Sequence, residues 1–201
     1  MEVLEFISHI IKEPGPYQPI LAVIKGFRNG AVYGAKIRAP HALVMTFLFK
    51  TGSLRSKIWS ILEATIQHSR NLAFFVTIYK TITKLLHFLA GEKEKRHSFV
   101  AAFIGGYLVF GENNRINQQI NFYLLSRILV GLAKLAVEKG YFHAPKTDPF
   151  PYFAAFVWGT VLWLFEHERH TLQDSLRSSM VYLYDDSEKW SSFWNFLWHN
   201  K

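Results

Sequence analysis

AVIKGFRNGAVYG, residues 22–34, sets a small residue at every fourth position: Ala22, Gly26, Gly30 and Gly34. On an α-helix that spacing gathers all four on one face. A face stripped of side-chain ridges lets a second helix approach at backbone distance, as paired membrane helices do. In water each glycine costs a helix roughly 0.5–1 kcal/mol relative to alanine, so close packing is the reason to keep them. Lys25, Arg28, Asn29, Lys36 and Arg38 decorate the same stretch, which is therefore no plain greasy span. The stretch reads as part of a polytopic membrane protein with small-residue seams and polar groups turned inward.

The rest of the chain fits that frame. Half of its 201 residues are hydrophobic and 16% are aromatic, while charged residues make up 19%, below the usual share of about 25%. There is room for about four to six membrane helices of roughly 20 residues each. The mean hydropathy of only +0.06 requires those spans to be short or interrupted. The absence of cysteine excludes a disulfide scaffold, a thiolate metal site and a cysteine nucleophile. No Asn-x-Ser/Thr sequon occurs. The net charge of +8 is uneven, with seven basic residues and no acidic one between Glu13 and Glu63. Because those charges alternate with runs such as ALVMTFLF, they suit anionic headgroups or the cytosolic side of a membrane better than nucleic acid. MEVLEFISHIIKE opens acidic and lacks a cleavage site, so it reads as a surface-lying amphipathic helix with Val3, Ile7, Ile10 and Ile11 on its apolar face. The terminal HNK is no peroxisomal matrix address.

The fold class expected is all-α: a polytopic membrane bundle of about four to six helices with Gly/Ala small-xxx-small seams, plus terminal amphipathic helices. Residues 1–201 read as one integral-membrane domain. Residues 97–111 and 149–165 contain no Asp, Glu, Lys or Arg and are the cleanest spans; 20–37, 57–89 and 116–137 are further helices. Ala102 with Gly106, and Ala155 with Gly159, repeat the small-xxx-small spacing. Breaks are expected at Pro14-Gly15-Pro16, Ala39-Pro40, near Gly52, at 91–96 and at 140–151. AAFIGGYLVFGENNR (101–115) echoes AAFVWGTVLWLFEHER (154–169), which points to a duplicated helical unit. At the C-terminus Ser187 is the expected cap of an interfacial helix over 187–199, with Trp190, Trp194 and Trp198 on one face as headgroup-level anchors.

Few groups carry chemistry. Glu166 and His170 share a helical face, but the pattern is not His-Glu-x-x-His, and it reads as a polar helix end. Neither a metal nor a cofactor is expected, and no nucleophile, Walker loop or dinucleotide fingerprint occurs, so the chain is not read as an enzyme. Ionisable groups inside a bilayer cost about 2.5–3.5 kcal/mol each on insertion scales and tend to face a wet interior. Arg28 and Asn29 beside the ladder, Glu63, Gln67 and Arg70 on the long helix, and Asn117 and Asn121 on the next are the residues a hydrated groove would use. Such a groove would pass small polar or anionic solutes; the alternative is interhelical hydrogen bonding with no conduit.

Residues 26–49, 110–127, 136–141 and 163–187 closely resemble a peroxisomal membrane protein of the superfamily of Tim-type mitochondrial inner-membrane translocase channel subunits. The looser superfamily motif is partly kept: Tyr79, Glu94, Ala101, Ala102 and Gly106 fall at suitable spacing, with Val76 in the first small place and Ala90 in the arginine place. The resemblance therefore carries the fold further than it carries preprotein translocation. It implies a multi-pass protein of the peroxisomal membrane; the role read for the chain is structural or assembly, with a pore or carrier for small polar or anionic solutes as the alternative. It also implies peroxisomal membrane lipids and the cytosolic import receptor peroxin nineteen as partners. It names no catalytic residue, and it leaves self-association open.

Overall fold

The computed structural model describes residues 2–92 and 94–198. The described residues are helical with no strand, so the all-α reading holds. The chain forms two compact units, Met1–Leu132 and Ala133–Lys201.

The first unit opens with α1 (Glu2–Lys12), whose Ile11 is exposed; the side chains of Val3 and Ile7 lie outside the described residues. A turn at Gly15–Tyr17 then leads into α2 (Gln18–Phe49). Contrary to the expected break, α2 runs straight through Pro40. Proline removes one backbone donor and crowds the preceding turn, but here packing continues beyond it, with Ala42 and Thr46 buried. Tertiary contact overrides the local breaker.

The next helix, α3 (Leu54–Ala90), starts where Ser53 accepts a hydrogen bond from the Ser56 backbone N–H. It stops at Gly91, whose φ of +71° is left-handed, a C-terminal position that glycine takes without strain. Its 37 residues correspond to about 55 Å of helix, well beyond a bilayer core of about 30 Å. Then come α4 (Lys95–Phe110) and α5 (Arg115–Glu138). α3 is the central element, packed on α2 on one side and α4 on the other. Both pairings are antiparallel: Gly26 meets Lys80 while Gly34 meets Ser69, and His97 meets His87 while Phe110 meets Phe75.

Among the described residues, two helices are long and apolar enough to cross a membrane: α3 and the Ile116–Glu138 part of α5. They are not the two charge-free runs. α4 has 16 residues, about 24 Å. Residues 121–135 of α5 are exposed all round.

The second unit holds α6 (Phe150–His167), α7 (Asp174–Met180) with a π-turn at Val181–Asp185, and α8 (Phe193–Leu197). Its small core is Phe165, fully buried, with Met180 beside it in burial and Tyr184 at 6.1 Å ring to ring. Of the expected helix over 187–199, residue 199 lies outside the described residues, and within 187–198 only the five residues of α8 form an α-helix. Ser187 spends its hydroxyl on the Tyr184 carbonyl at 2.8 Å, closing the previous turn, and Ser192 caps α8 instead by accepting from Asn195 N–H at 3.1 Å.

Candidate functional site

The glycine ladder is the buried face of α2. Gly26, Gly30 and Gly34 are all buried, and the line continues at the same four-residue interval through half-buried Arg38 to buried Ala42 and Thr46. The fit is tightest at its centre. A Cβ on Gly30 would stand 2.8 Å from the Ala73 Cα and 2.8 Å from the Leu72 carbonyl oxygen; on Gly34 it would stand 2.8 Å from the Ser69 Cα. Those neighbours are backbone and cannot swing aside, so α2 and α3 touch main chain to main chain. At Gly26 the neighbours are side chains and not backbone, the flexible Lys80 Cδ at 2.9 Å and the stiffer Val76 Cγ1 at 3.0 Å.

Two hydrogen bonds cross this seam to otherwise helix-bound carbonyls. Ser69 Oγ donates to Ala31 O at 2.5 Å, and Lys80 Nζ donates to Ala22 O at 2.9 Å. The ladder's first member, Ala22, thus serves through its carbonyl and is only half-buried. At the far end Lys57 Nζ lies 5.3 Å from the Phe47 ring centre, a cation–π contact. The sequence reading missed Ser69, Lys80, Ala42 and Thr46. Extending the ladder past Pro40 would have found the last two.

The second seam is displaced by one residue. α4 buries His97, Ala101 and Gly105, not the expected Ala102 and Gly106. A Cβ on Gly105 would lie 3.2 Å from the Phe75 ring, whereas nothing stands within 4 Å of one on Gly106. The Ala-Ala and Gly-Gly doublets offer both registers, and the large residues decide between them: Phe103 and Tyr107 are exposed while Phe110 turns inward to Phe75 at 5.6 Å. The third seam has no packing partner among the described residues of its own unit. Ala155 and Gly159 are exposed, and they floor a shallow apolar recess with Phe156, Thr160 and Trp163.

The residues expected to line a groove do not converge on one. Arg28 is exposed and donates to its neighbour Asn29 at 3.1 Å; Glu63 and Arg70 are exposed, and Gln67 is half-buried. Asn117 is the exception, almost fully buried, with its Nδ2 donating to Glu112 O at 3.0 Å. Asn121 Nδ2 reaches Phe110 O at 3.3 Å. These amides tie the start of α5 to the end of α4 and its following turn, so they hold a helix junction.

Between α3 and α4, Glu94 caps α4 in a reciprocal box with His97 and also pairs with Arg96, Arg96 NH2 donating at 2.8 Å. That hydrogen bond holds the Glu94 carboxyl below the usual carboxylate range. In the second unit, Glu166 and His170 do not pair with each other; Glu166 faces Arg169 at 3.8 Å and His170 faces Glu168 at 3.5 Å. Arg169 is the organising residue there. It forks onto Asp185 at 2.5 and 3.1 Å, donates from Nε to Phe165 O at 2.7 Å, and lies 4.1 Å above the Phe165 ring. The hydrogen bond to Asp185 raises its pKa further. Sixteen residues separate the pair, and no local pattern announces it.

Trp190, Trp194 and Trp198 are exposed, but only Trp194 lies within α8. Trp190 precedes it and packs edge-on against Phe196 at 5.5 Å, so the three do not form one helical stripe.

Comparison with known proteins covers almost all of this. The model of the Tim17/Tim22/Tim23/Pmp24 family matches residues 17–126, which hold α2, α3, α4 and the first half of α5. The chain is 63% identical over 185 residues to peroxisomal membrane protein 4 of Homo sapiens, covering 92% of this chain and 87% of the relative. It is 57% identical over 201 residues to peroxisomal membrane protein 4 of Bos taurus, covering 100% of this chain and 95% of the relative. No solved structure matches the chain. With the family match spanning the glycine-seamed stack and relatives aligned from end to end, the chain belongs to the Tim17/Tim22/Tim23/Pmp24 family.

Proposed function

We propose that this chain is a multi-pass integral membrane protein of the peroxisome with a structural or assembly role and no enzymatic activity. The names of its relatives support the compartment, and α3 and α5 supply apolar length for crossing. One observation favours a scaffold over a conduit. At Gly30 and Gly34 the α2–α3 seam is closed to main-chain contact, which supports packing over a hydrated path between those helices. The polar residues a groove would need are scattered on exposed faces or tied to a junction. Meanwhile residues 121–135 of α5 are exposed all round, apolar surface that suits lipid or a neighbouring helix. Peroxisomal membrane lipids are thus its immediate surroundings, and delivery by the cytosolic receptor peroxin nineteen follows from the resemblance.

The test places Gly30→Leu and Arg28→Glu chains in peroxisome-bearing cells. After alkaline extraction, wild type is expected in the membrane pellet. Gly30→Leu is expected to lose the proteins that cross-link to wild type while solute passage stays unchanged. Release of wild type into the alkaline supernatant would contradict the membrane assignment. Altered solute flux with intact cross-links would contradict the scaffold role and favour a carrier.

A further inference from the structure

Arg38 breaks the pattern of the α2 seam. It occupies the ladder position between Gly34 and Ala42, where every other member from Gly26 to Thr46 is small. Its Nε is closed off from solvent and has no hydrogen-bond partner. Its NH1 reaches His41 Nδ1 and Gln119 Oε1, both at 3.4 Å, beyond the usual length of such bonds. On the facing helix, His68 lies opposite the preceding turn of α2, its carbonyl oxygen 3.3 Å from where a Cβ on Gly34 would stand, and its Nδ1 is likewise enclosed and unpartnered. Three helices, α2, α3 and α5, thus bring a guanidinium, two imidazoles and an amide together.

The counter-charge is missing. No carboxylate lies within 4.0 Å of Arg38 among the described residues. α2 contains no acidic residue, and α5 contains only Glu138 at its far end. Glu63 on α3 is exposed and forms no ion pair. A half-enclosed cation without a partner is destabilising, the more so in a bilayer, which points to neutralisation from outside the chain. Guanidinium matches this need, since its planar fork of donors fits two oxygens of one phosphate. The imidazoles offer further N–H donors, and the Gln119 amide turns its NH2 inward by a simple flip.

We infer that Arg38, His41, His68 and Gln119 form an oxyanion site for a phosphate group, carried either by an anionic lipid headgroup or by a soluble phosphate. The inference does not depend on the scaffold reading. A bound headgroup would make the site a lipid clasp at the helix junction; a soluble phosphate would make it a ligand site within the stack.

The experiment uses the full chain, purified in detergent and in lipid nanodiscs. One arm titrates inorganic phosphate. The other compares phosphatidylcholine discs with discs containing added phosphatidic acid. Bound phosphate or retained lipid is read by mass spectrometry, and the thermal midpoint reports the linked stabilisation. Wild type is expected to bind and to gain thermal stability in at least one arm. Response to inorganic phosphate identifies a soluble ligand, and response only to phosphatidic acid identifies a headgroup. Arg38→Gln is expected to weaken binding about tenfold or more, the usual worth of hydrogen bonds to a charged group. Arg38→Lys is expected to recover part of it, while Arg28→Gln, altering an exposed arginine, binds as wild type. Should Arg38→Gln not fold, Gln119→Leu and His41→Ala must each weaken binding. Equal binding by wild type and these variants, or no response in either arm, would overturn the site. So would a cross-link joining Arg38 to a carboxylate of a second copy.

Discussion

Gly30 and Gly106 differ by one measurable thing, the space beyond their Cα atoms. Replacing a helical glycine with alanine is favourable by about 1 kcal/mol on propensity alone. At Gly106 nothing lies within 4 Å of the new methyl, so Gly106→Ala is expected to raise the unfolding midpoint or leave it unchanged. At Gly30 the methyl would stand 2.8 Å from the Ala73 Cα. Gly30→Ala is therefore expected to reverse the sign and cost about 1–3 kcal/mol, the scale of overpacking a tight contact. Detergent-unfolding curves of the two variants check this, and equal behaviour would mean the seam is loose. Glu94 supplies a pH-dependent case. Its pKa is held down by the hydrogen bond from Arg96. A depressed carboxylate contributes stability above its ordinary pKa, and that contribution is lost as pH falls through the lowered value. Protection of the first turn of α4 against hydrogen exchange is expected to hold at neutral pH and fade in acid below about pH 4. Glu94→Gln should show the faded behaviour at every pH.

Helices differ in how well local sequence announced them. The α2 face was legible because a strict four-residue interval of glycines admits one helical reading. Its length was not, because Pro40 is a strong local breaker and its override lies in burial of Ala42 and Thr46 far along the chain. On α4 the paired Ala101-Ala102 and Gly105-Gly106 left two registers equal; only the inward turn of Phe110 onto Phe75 separates them. The tryptophan helix failed for another reason. Spacing placed three rings on one stripe, but Ser187 closes a turn behind it instead of opening a helix ahead. Arg169 and Asp185 were illegible, being sixteen residues apart with turns between. Their fork ties the end of α6 to the π-turn, and Arg169→Ala is expected to speed hydrogen exchange at residues 181–185 while leaving α3 unchanged. For α5, residues 121–135 are exposed, and under the proposed membrane role Leu129 would face lipid. Leu129→Lys is expected to lower membrane insertion by about 2.5–3.5 kcal/mol, read by glycosylation-mapped translocation; insertion equal to wild type would mean that α5 lies outside the bilayer.

Across the whole molecule, the glycine ladder, the uneven basic charge and the family match describe a helical membrane protein whose tightest feature is a closed seam. In a channel subunit the packed interior must leave a wet path. Here Gly30 and Gly34 remove that path from the α2–α3 contact, and the enclosed, unpartnered polar atoms of Arg38, His68, Thr83 and Asn117 are spread over α2, α3 and α5. The architecture thus holds helices together and leaves apolar faces outward. Solute release from liposomes holding the purified, inserted chain is the most direct measurement, with empty liposomes and Arg28→Glu as comparisons. The expected result is no release of small dyes or metabolites above the empty liposomes, and no difference between wild type and Arg28→Glu. Release with a size cut-off that shifts in Arg28→Glu would contradict the closed seam and require a pore.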